Sequence, residues 1–155
     1  MNAAELFNSL KKNHLTIGSI ESVTGGLFSS TITSIPGSSL VYKGSIISYS
    51  VEEKMNLLGI KGKSLKQFGV VSSQIAIEMA SLGAAKLHVD LCLSCTGNAG
   101  PGVCDDNEPI GKVFIGVFYQ GKTASFEKNF VGSRDEIRLS IVQSMIDLAY
   151  LSITK

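Results

Sequence analysis

The stretch LTIGSIESVTGGL, residues 15–27, joins an apolar run to a turn rich in glycine. Its first part, residues 15–20, carries aliphatic and β-branched side chains, which favour a strand. The segment that follows the turn, residues 27–35, has the apolar content of a helix and ends before Pro36. The turn itself, residues 22–26, therefore leads from a strand into a helix. In an open α/β fold such a turn lies at the carboxyl edge of the sheet, where ligands bind.

The remaining chain repeats this alternation of strands and helices. Apolar spacing predicts further helices over residues 3–12, 50–58, 74–86 and 134–152. Alternating or continuous apolar runs predict further strands over residues 41–49, 89–95, 113–119 and 123–130. We therefore expect an α/β fold, a three-layer α/β/α sandwich with a mixed, mostly parallel sheet. The length of 155 residues suits a single domain over residues 1–155.

Composition and charge exclude several classes of protein. The chain is 44% hydrophobic and 17% charged, which is typical of a domain that buries a core. Fourteen Lys and Arg residues against thirteen Asp and Glu leave a net charge of +1, so no basic stripe for nucleic acid is expected. No apolar run reaches the roughly 20 residues of a membrane-spanning helix, and the N-terminus does not resemble a signal peptide. We expect a cytoplasmic protein that binds neither nucleic acid directly nor a membrane.

The three cysteines are Cys92, Cys95 and Cys104. The spacing of the first two could indicate a redox or zinc site. No second pair follows, however, and both His14 and His88 are remote in sequence. Structural thiols in a reducing compartment fit this pattern better, so no metal and no cofactor are expected.

Ser22 carries the hydroxyl of the first glycine-rich turn. Gly25 and Gly26 let backbone N–H groups approach an anion, and the dipole of the following helix favours negative charge there. Ser22 therefore lies beside a backbone-lined pocket and is a candidate nucleophile. The alternative is that Ser22 or Thr24 only caps the helix, a position where both residue types are common.

A second turn, TGNAGP at residues 96–101, follows the most apolar predicted strand. If that strand and residues 15–20 are parallel neighbours, the two glycine-rich turns face one crevice. Such a crevice favours a small ligand that bears a phosphate. The pattern is neither a Walker A loop nor a dinucleotide-binding fingerprint, and the alternative is an ordinary flexible loop.

Both arginines of the chain, Arg134 and Arg138, lie near the start of the last predicted helix. Residues four apart share one helix face. A guanidinium group suits bidentate binding of a carboxylate or phosphate better than a lysine does. The alternative is a surface ion pair with Asp135 or Glu136.

Lys54 ends the segment YSVEEK, residues 49–54, which opens a helix at a Ser50 N-cap. Because this helix follows a strand, Lys54 could reach the same edge of the sheet as Ser22. A lysine beside a serine serves as its general base when burial lowers the pKa of the amine. Neither histidine neighbours a glycine-rich turn, which favours a Ser-Lys pair over a Ser-His-Asp triad. The alternative is a solvated helix lysine.

Taken together, these segments resemble the CinA C-terminal domain family, the nicotinamide-nucleotide amidases, also called NMN deamidases. The similarity runs over roughly residues 4–151 and is carried by short motifs in matching order. These motifs are ESVTGG (21–26), GSS (37–39), YSVEEK (49–54), GVVS (69–72), TGNAGP (96–101), PIGKV (109–113) and GSR (132–134).

The resemblance implies hydrolysis of the carboxamide of nicotinamide mononucleotide to nicotinic acid mononucleotide and ammonia, a step of pyridine nucleotide salvage. It also implies a compact α/β/α fold, usually as a homo-oligomer. Ser22 corresponds to the nucleophile, Lys54 to the group that accepts its proton, and Tyr49 to a residue lining the same site. The remaining substrate contacts implied are Thr24, Gly25, Gly26, Thr96, Gly97, Asn98 and Gly100, with Arg134 or Arg138 on the phosphate or carboxylate.

Amide hydrolysis also needs donors for the developing oxyanion. The backbone N–H groups of Thr24, Gly25 and Gly26 are the expected donors. Val23, Asn98 and Ser133 depart from the residues that the family commonly has, Asn98 by replacing an apolar residue. Two other functions stay open, a non-catalytic nucleotide-sensing or partner-binding module linked to competence or DNA damage, and a hydrolase of another small amide.

Overall fold

The computed structural model describes residues 1–103 and 108–154. One sheet holds the strands Ile17–Glu21 (β1), Tyr42–Ile47 (β2), Leu91–Gly97 (β3), Lys112–Tyr119 (β4) and Lys122–Asn129 (β5). The helices are Ala3–Lys12 (α1), Leu27–Thr33 (α2), Val51–Asn56 (α3), Gly62–Phe68 (α4), Ser73–Leu87 (α5) and Arg134–Thr154 (α6), with a 3-10 turn at Ser38–Leu40. None of the described helices is long and apolar enough to cross a membrane.

The strand order is β2-β1-β3-β4-β5. β1 pairs in parallel with both β2 and β3, and Glu21 at its end lies opposite Ile47 and Cys95. β4 runs antiparallel to β3 and forms a hairpin with β5. The parallel pairing of β1 with β3 is therefore confirmed, and both glycine-rich turns leave the sheet at one edge.

Helices cover both faces of the sheet, which confirms the three-layer α/β/α architecture. Alternate residues of β3 show the division, because Leu91, Leu93 and Cys95 pack with α1, α2 and α6, while Cys92 packs with the α5 side. Each fully buried aliphatic side chain contributes about 1.5–3 kcal/mol. α5 lies close to the sheet because Gly83 has no side chain to meet Ile20.

The two cysteines of the predicted strand, Cys92 and Cys95, are free and buried. Because they face opposite sides of the sheet, they cannot share a metal ion or a disulfide. The described residues contain no group of His, Cys, Asp and Glu side chains that could hold a metal. Cys104 lies outside the described residues.

β2 ends two residues earlier than the apolar pattern predicts, whereas β1 and β3 extend one and two residues further toward the site than it predicts. At their other end, the Asp90 carboxylate accepts hydrogen bonds from the Thr16 amide at 2.8 Å and the Thr16 hydroxyl at 2.7 Å. This exchange fixes the start of both strands. Glu21, Thr96 and Gly97 consequently belong to the strands rather than to loops. The short helix α4 and the 3-10 turn at Ser38–Leu40 are not among the predicted elements, because neither spans enough residues to show a periodic apolar stripe.

Candidate active site

The first turn is organised by Glu21, whose side chain is fully buried. Its carboxylate accepts hydrogen bonds from the amides of Gly26 at 2.9 Å, Phe28 at 3.1 Å and Ser29 at 2.9 Å. The hydroxyl of Thr24 donates to it at 2.7 Å. The three amides are the otherwise unpaired N–H groups at the start of α2, where the helix dipole also favours a negative charge. Glu21 therefore caps α2 and frees Ser22 from that task.

Ser22 and Lys54 are in direct contact. The Nζ atom of Lys54 lies 2.9 Å from Oγ of Ser22, 2.7 Å from the Ser48 carbonyl oxygen and 3.5 Å from the Tyr49 carbonyl oxygen. The Lys54 side chain has 0% exposed surface, which rules out the alternative of a solvated lysine. Ser22 and Lys54 are thus adjacent, as expected of the nucleophile and proton acceptor that the resemblance implies.

Two backbone features hold Lys54 in this position. The Ser48 amide donates to the Glu21 carbonyl at 3.0 Å, which extends the pairing of β1 and β2 by one residue. The Ser50 hydroxyl accepts from the Glu53 amide at 3.1 Å and caps α3, as the sequence predicts. Lys54 is the residue of α3 that turns inward beneath the Ser22 turn.

Burial lowers the pKa of Lys54 to about 8, with a smaller opposing effect from nearby Cys95. Removing an ammonium group from water disfavours its charged form. Among residues 1–103 and 108–154, no carboxylate forms an ion pair with Lys54 to offset this effect. About a tenth of the amine is therefore neutral at pH 7, and about half at pH 8.

The second turn lines the other side of the site, but its polar side chains are already engaged. The Thr96 hydroxyl donates to the Val70 carbonyl at 2.9 Å. The Asn98 side chain accepts from the Gly100 amide at 2.9 Å and donates to the Glu108 carbonyl at 3.2 Å. These bonds shape the wall of the site rather than project donors into it.

The two arginines have different partners. Arg134 donates to the Gly100 carbonyl at 2.6 Å and to the Tyr49 hydroxyl at 3.1 Å. Arg138 donates to the Thr24 carbonyl at 2.7 Å and lies 3.6 Å from the carboxylate of Asp135. The ion-pair alternative thus holds in part for Arg138, but Asp135 is 86% exposed, where such pairs contribute little.

A cleft of about 380 Å³ opens above Ser22. Its lining includes the predicted site residues Ser22, Tyr49, Thr96, Gly97, Asn98 and Arg134. It also includes Val23, Ser50, Val51, Glu52, Val70, Val71 and Ala99, which sequence reasoning did not select. The volume falls within the range of small-molecule sites.

Five predicted substrate contacts do not line this cleft, namely Thr24, Gly25, Gly26, Gly100 and Arg138. The amides of Gly25 and Gly26 donate to the Ser22 carbonyl and the Glu21 carboxylate, so they are not free to bind an oxyanion. The Thr24 hydroxyl is buried between Glu21 and Cys95. These residues build the turn that presents Ser22.

The amide of Val23 differs from those of the glycines. Val23 lines the cleft, and its N–H donates to no acceptor in the described part of the chain. The sequence signal for the Val23 amide is its position directly after the candidate nucleophile Ser22. Glu21 has no such signal in the sequence, because a helix cap is expected directly before the helix and that position is Gly26.

The chain is similar to known proteins over most of its length. A family model described as the CinA C-terminal domain matches residues 2–152. A CinA-like protein of Endomicrobium trichonymphae is 45% identical over 140 residues, covering 90% of this chain and 32% of the relative. A putative competence-damage inducible protein of Halothermothrix orenii is 40% identical over 147 residues, covering 94% of this chain and 36% of the relative. The chain thus spans about a third of the length of these relatives.

Solved structures share the fold. The competence/damage inducible protein CihA of Agrobacterium tumefaciens superposes with a TM-score of 0.92 at 28% identity, covering 99% of this chain and 93% of that chain. A competence or damage-inducible protein of Enterobacter asburiae gives 0.94 at 25% identity, covering 99% of each chain. With the family model matched over nearly all of its length, this chain belongs to the CinA C-terminal domain family.

Proposed function

We propose that the chain is an amidohydrolase that converts nicotinamide mononucleotide to nicotinic acid mononucleotide and ammonia. The observation that carries the proposal is the 2.9 Å contact between Lys54 Nζ and Ser22 Oγ in a buried position. A serine hydroxyl becomes a nucleophile when an adjacent base removes its proton. Burial lowers the pKa of Lys54 to about 8, so it can act as this base near neutral pH.

The partners of Lys54 suit a neutral amine that becomes an ammonium ion. A neutral amine has two N–H groups and one lone pair. The carbonyl oxygens of Ser48 and Tyr49 can take the N–H groups, the second over a longer distance of 3.5 Å, which leaves the lone pair for the Ser22 hydroxyl. After the proton moves, the same carbonyls stabilise the ammonium ion.

The reaction then proceeds through an acyl-enzyme. Ser22 Oγ bonds to the carboxamide carbon as its proton passes to Lys54, and the carbonyl oxygen takes up negative charge. Lys54 returns the proton to the amide nitrogen, the C–N bond breaks and ammonia leaves. Water then adds to the ester with Lys54 again as base, which releases the carboxylate product and restores the Ser22 hydroxyl.

The Val23 amide is our candidate for stabilising the oxyanion. It directly follows the nucleophile, a position that supplies one donor in other hydrolases with a serine on a strand–turn–helix. Val23 lines the cleft, and its N–H has no acceptor within the described residues. One well-placed donor of this kind lowers the barrier by about 2.7–4 kcal/mol.

The cleft also supports the substrate class. Val51, Val70 and Val71 offer an apolar wall for an aromatic ring. Arg134 lies at the rim, and a guanidinium group has five N–H donors, of which two are used here. The remaining donors can bind a phosphate group. As part of this proposal the chain acts in pyridine nucleotide salvage in the cytoplasm as a homo-oligomer.

The experiment is an ammonia-release assay on nicotinamide mononucleotide beside free nicotinamide and the dinucleotide. We expect release from the mononucleotide and a loss of orders of magnitude in Ser22→Ala, since the nucleophile is gone. Ser39→Ala is the matched control, because Ser39 is exposed in the 3-10 turn. Full activity in Ser22→Ala would refute the assignment. Nucleotide binding without ammonia release would instead support the non-catalytic module.

A further inference from the structure

Asn98 makes four hydrogen bonds, one within the second turn and three to the segment at residues 108–112. Its side-chain oxygen accepts from the Gly100 amide at 2.9 Å, and its side-chain amide donates to the Glu108 carbonyl at 3.2 Å. Its backbone exchanges bonds with Lys112 at 3.1 Å and Gly111 at 2.7 Å. Asn98 is only 7% exposed, so these groups would be costly to leave unpaired.

The bond to the Gly100 amide fixes the conformation of Gly100. It is an Asx turn, in which the side chain bonds the backbone two residues ahead. Gly100 has a φ of +72°, and a β-carbon there would lie 2.8 Å from Ile110 Cγ2, so a side chain would meet both steric and backbone strain. The orientation of Gly100 therefore depends on Asn98 and on the absence of a side chain.

The carbonyl group of Gly100 binds Arg134. The Gly100 carbonyl accepts from Arg134 Nη1 at 2.6 Å, and Arg134 Nη2 donates to the Tyr49 hydroxyl at 3.1 Å. The guanidinium group thus spans from the second turn to Tyr49 at the rim of the cleft. A shift of the Gly100 carbonyl would remove one of its two anchors.

We propose that Asn98 is a positioning residue that sets Arg134, through Gly100, for the anionic group of the ligand. The inference rests on the proposed function for the ligand's identity, a mononucleotide with a phosphate. Asn98 does not itself bind the phosphate, since both polar atoms of its side chain already have protein partners. Its contribution is the geometry of Arg134.

The test measures binding without turnover, by calorimetry with the product, nicotinic acid mononucleotide, and with its riboside, which lacks the phosphate. Asn98→Val removes both side-chain bonds at similar size. We expect it to weaken mononucleotide binding about five- to tenfold, the effect of one lost orienting hydrogen bond, and to leave riboside binding unchanged. Asn8→Val, at an exposed position on α1, is the matched control.

A double-mutant cycle with Arg134→Ala tests the route of the effect. If Asn98 acts through Arg134, Asn98→Val has no further effect on mononucleotide binding once Arg134 is removed. An effect of equal size in both backgrounds, or equal weakening of the riboside, would overturn the proposal. Asn98→Ala, which inserts no β-branched side chain, takes its place in the cycle if Asn98→Val does not fold.

The outcomes separate this proposal from the proposed function. Coupled binding effects in a chain that releases no ammonia would support the role of Asn98 and reject the amidase. Ammonia release with unchanged mononucleotide binding in Asn98→Val would do the reverse. Absence of mononucleotide binding to the wild-type chain would overturn both.

Discussion

The Nζ atom of Lys54 lies 2.9 Å from the Oγ atom of Ser22, and the lysine side chain has no exposed surface. The contact joins the end of β1 to the helix that follows β2, residues 32 positions apart in the chain. Parallel pairing of β1 with β2 creates it, because both connections leave the sheet at the same edge. The chemistry proposed for the chain depends on this contact and on the protonation of Lys54.

The activity is expected to rise with pH. Burial lowers the pKa of Lys54 to about 8, and only the neutral amine can accept the Ser22 proton. The value of kcat/KM for nicotinamide mononucleotide should increase about tenfold per pH unit well below pH 8 and level off above it, since the neutral fraction follows this titration. A pH–rate profile measures this. A kcat/KM that changes by no more than about a factor of two between pH 6 and pH 9 would contradict the role of Lys54 as the base.

Lys54→Arg separates charge from proton transfer. A guanidinium group keeps the positive charge but cannot lose its proton in a protein. We expect kcat to fall by about 10²–10⁴, the usual contribution of a general base. Steady-state kinetics measure this, with Lys43→Arg, an exposed residue of β2, as the control. Activity within a few-fold of wild type would show that the charge of Lys54 is sufficient.

Lys54 also makes the stability of the fold depend on pH. Its pKa is about 8 in the folded state against 10.5 as the ordinary value, so between these values the unfolded chain binds more protons. The free energy of unfolding therefore increases as pH rises from 8 to 10.5 because of this group. Below pH 8 the full cost of burying the ammonium is present.

Lys54→Met should remove that cost. We expect the variant to be inactive yet more stable at pH 7, by up to about 3 kcal/mol, less the value of the lost hydrogen bonds. Denaturant unfolding at pH 7 and pH 10 measures the change, and the difference between the two pH values should shrink in the variant. A variant less stable than wild type at pH 7 would indicate that the hydrogen bonds of Lys54 outweigh its desolvation.

Glu21→Gln tests the support of the nucleophile turn. The Glu21 carboxylate accepts bonds from three backbone amides at the start of α2 and from the Thr24 hydroxyl. An amide replaces one acceptor oxygen with a donor, which leaves several of these groups unpaired or opposed. Since hydrogen bonds to charged groups contribute about 1.5–3 kcal/mol each, we expect a loss of about 3 kcal/mol in the free energy of unfolding.

Chemical denaturation measures this loss, with Glu53→Gln as the control on α3. The activity of Glu21→Gln should also fall, because Ser22 directly follows Glu21 in the chain. A variant as stable as wild type would show that the turn does not depend on the carboxylate.

Much of the fold and the centre of the site could be predicted from the sequence. The apolar run before each glycine-rich turn indicated two buried strands, and their parallel pairing places both turns at one edge. Residue types and the family resemblance both point to Ser22 and Lys54. The contact between Ser22 and Lys54 depends on which strands pair. Local sequence patterns predict that pairing only through the fold class that they indicate.

The sequence does not predict which backbone amides of the two turns are free to bind a ligand and which hold the turns together. Glycines next to a serine suggest free amides, yet the Gly25 and Gly26 amides have acceptors supplied by Ser22 and Glu21. Whether a backbone donor is free depends on which side chain folds back onto it, and that is a tertiary property. The burial of Lys54 is likewise a property of packing and not of its position in a helix.

The last prediction concerns the two arginines. Their spacing in the sequence does not distinguish them, but their partners in the structure do. Arg134 lines the cleft and bridges Gly100 to Tyr49, whereas Arg138 donates to the Thr24 carbonyl beneath the turn. A lysine lacks the planar fork of donors with which Arg134 holds both contacts and still offers N–H groups to a phosphate. Arg134→Lys should therefore raise KM for nicotinamide mononucleotide about tenfold or more with a smaller change in kcat.

Arg138→Lys should show the opposite division. Its effect falls on the Ser22 turn, so kcat should decrease while KM changes little, and the melting temperature should drop by a few degrees, as expected for a loss of about 1 kcal/mol. Steady-state kinetics on both variants, with thermal unfolding on each, distinguish the roles. Equal rises in KM for the two variants would mean that both guanidinium groups bind the phosphate, and the bond between Arg138 and the Thr24 carbonyl would then have to open when the ligand binds.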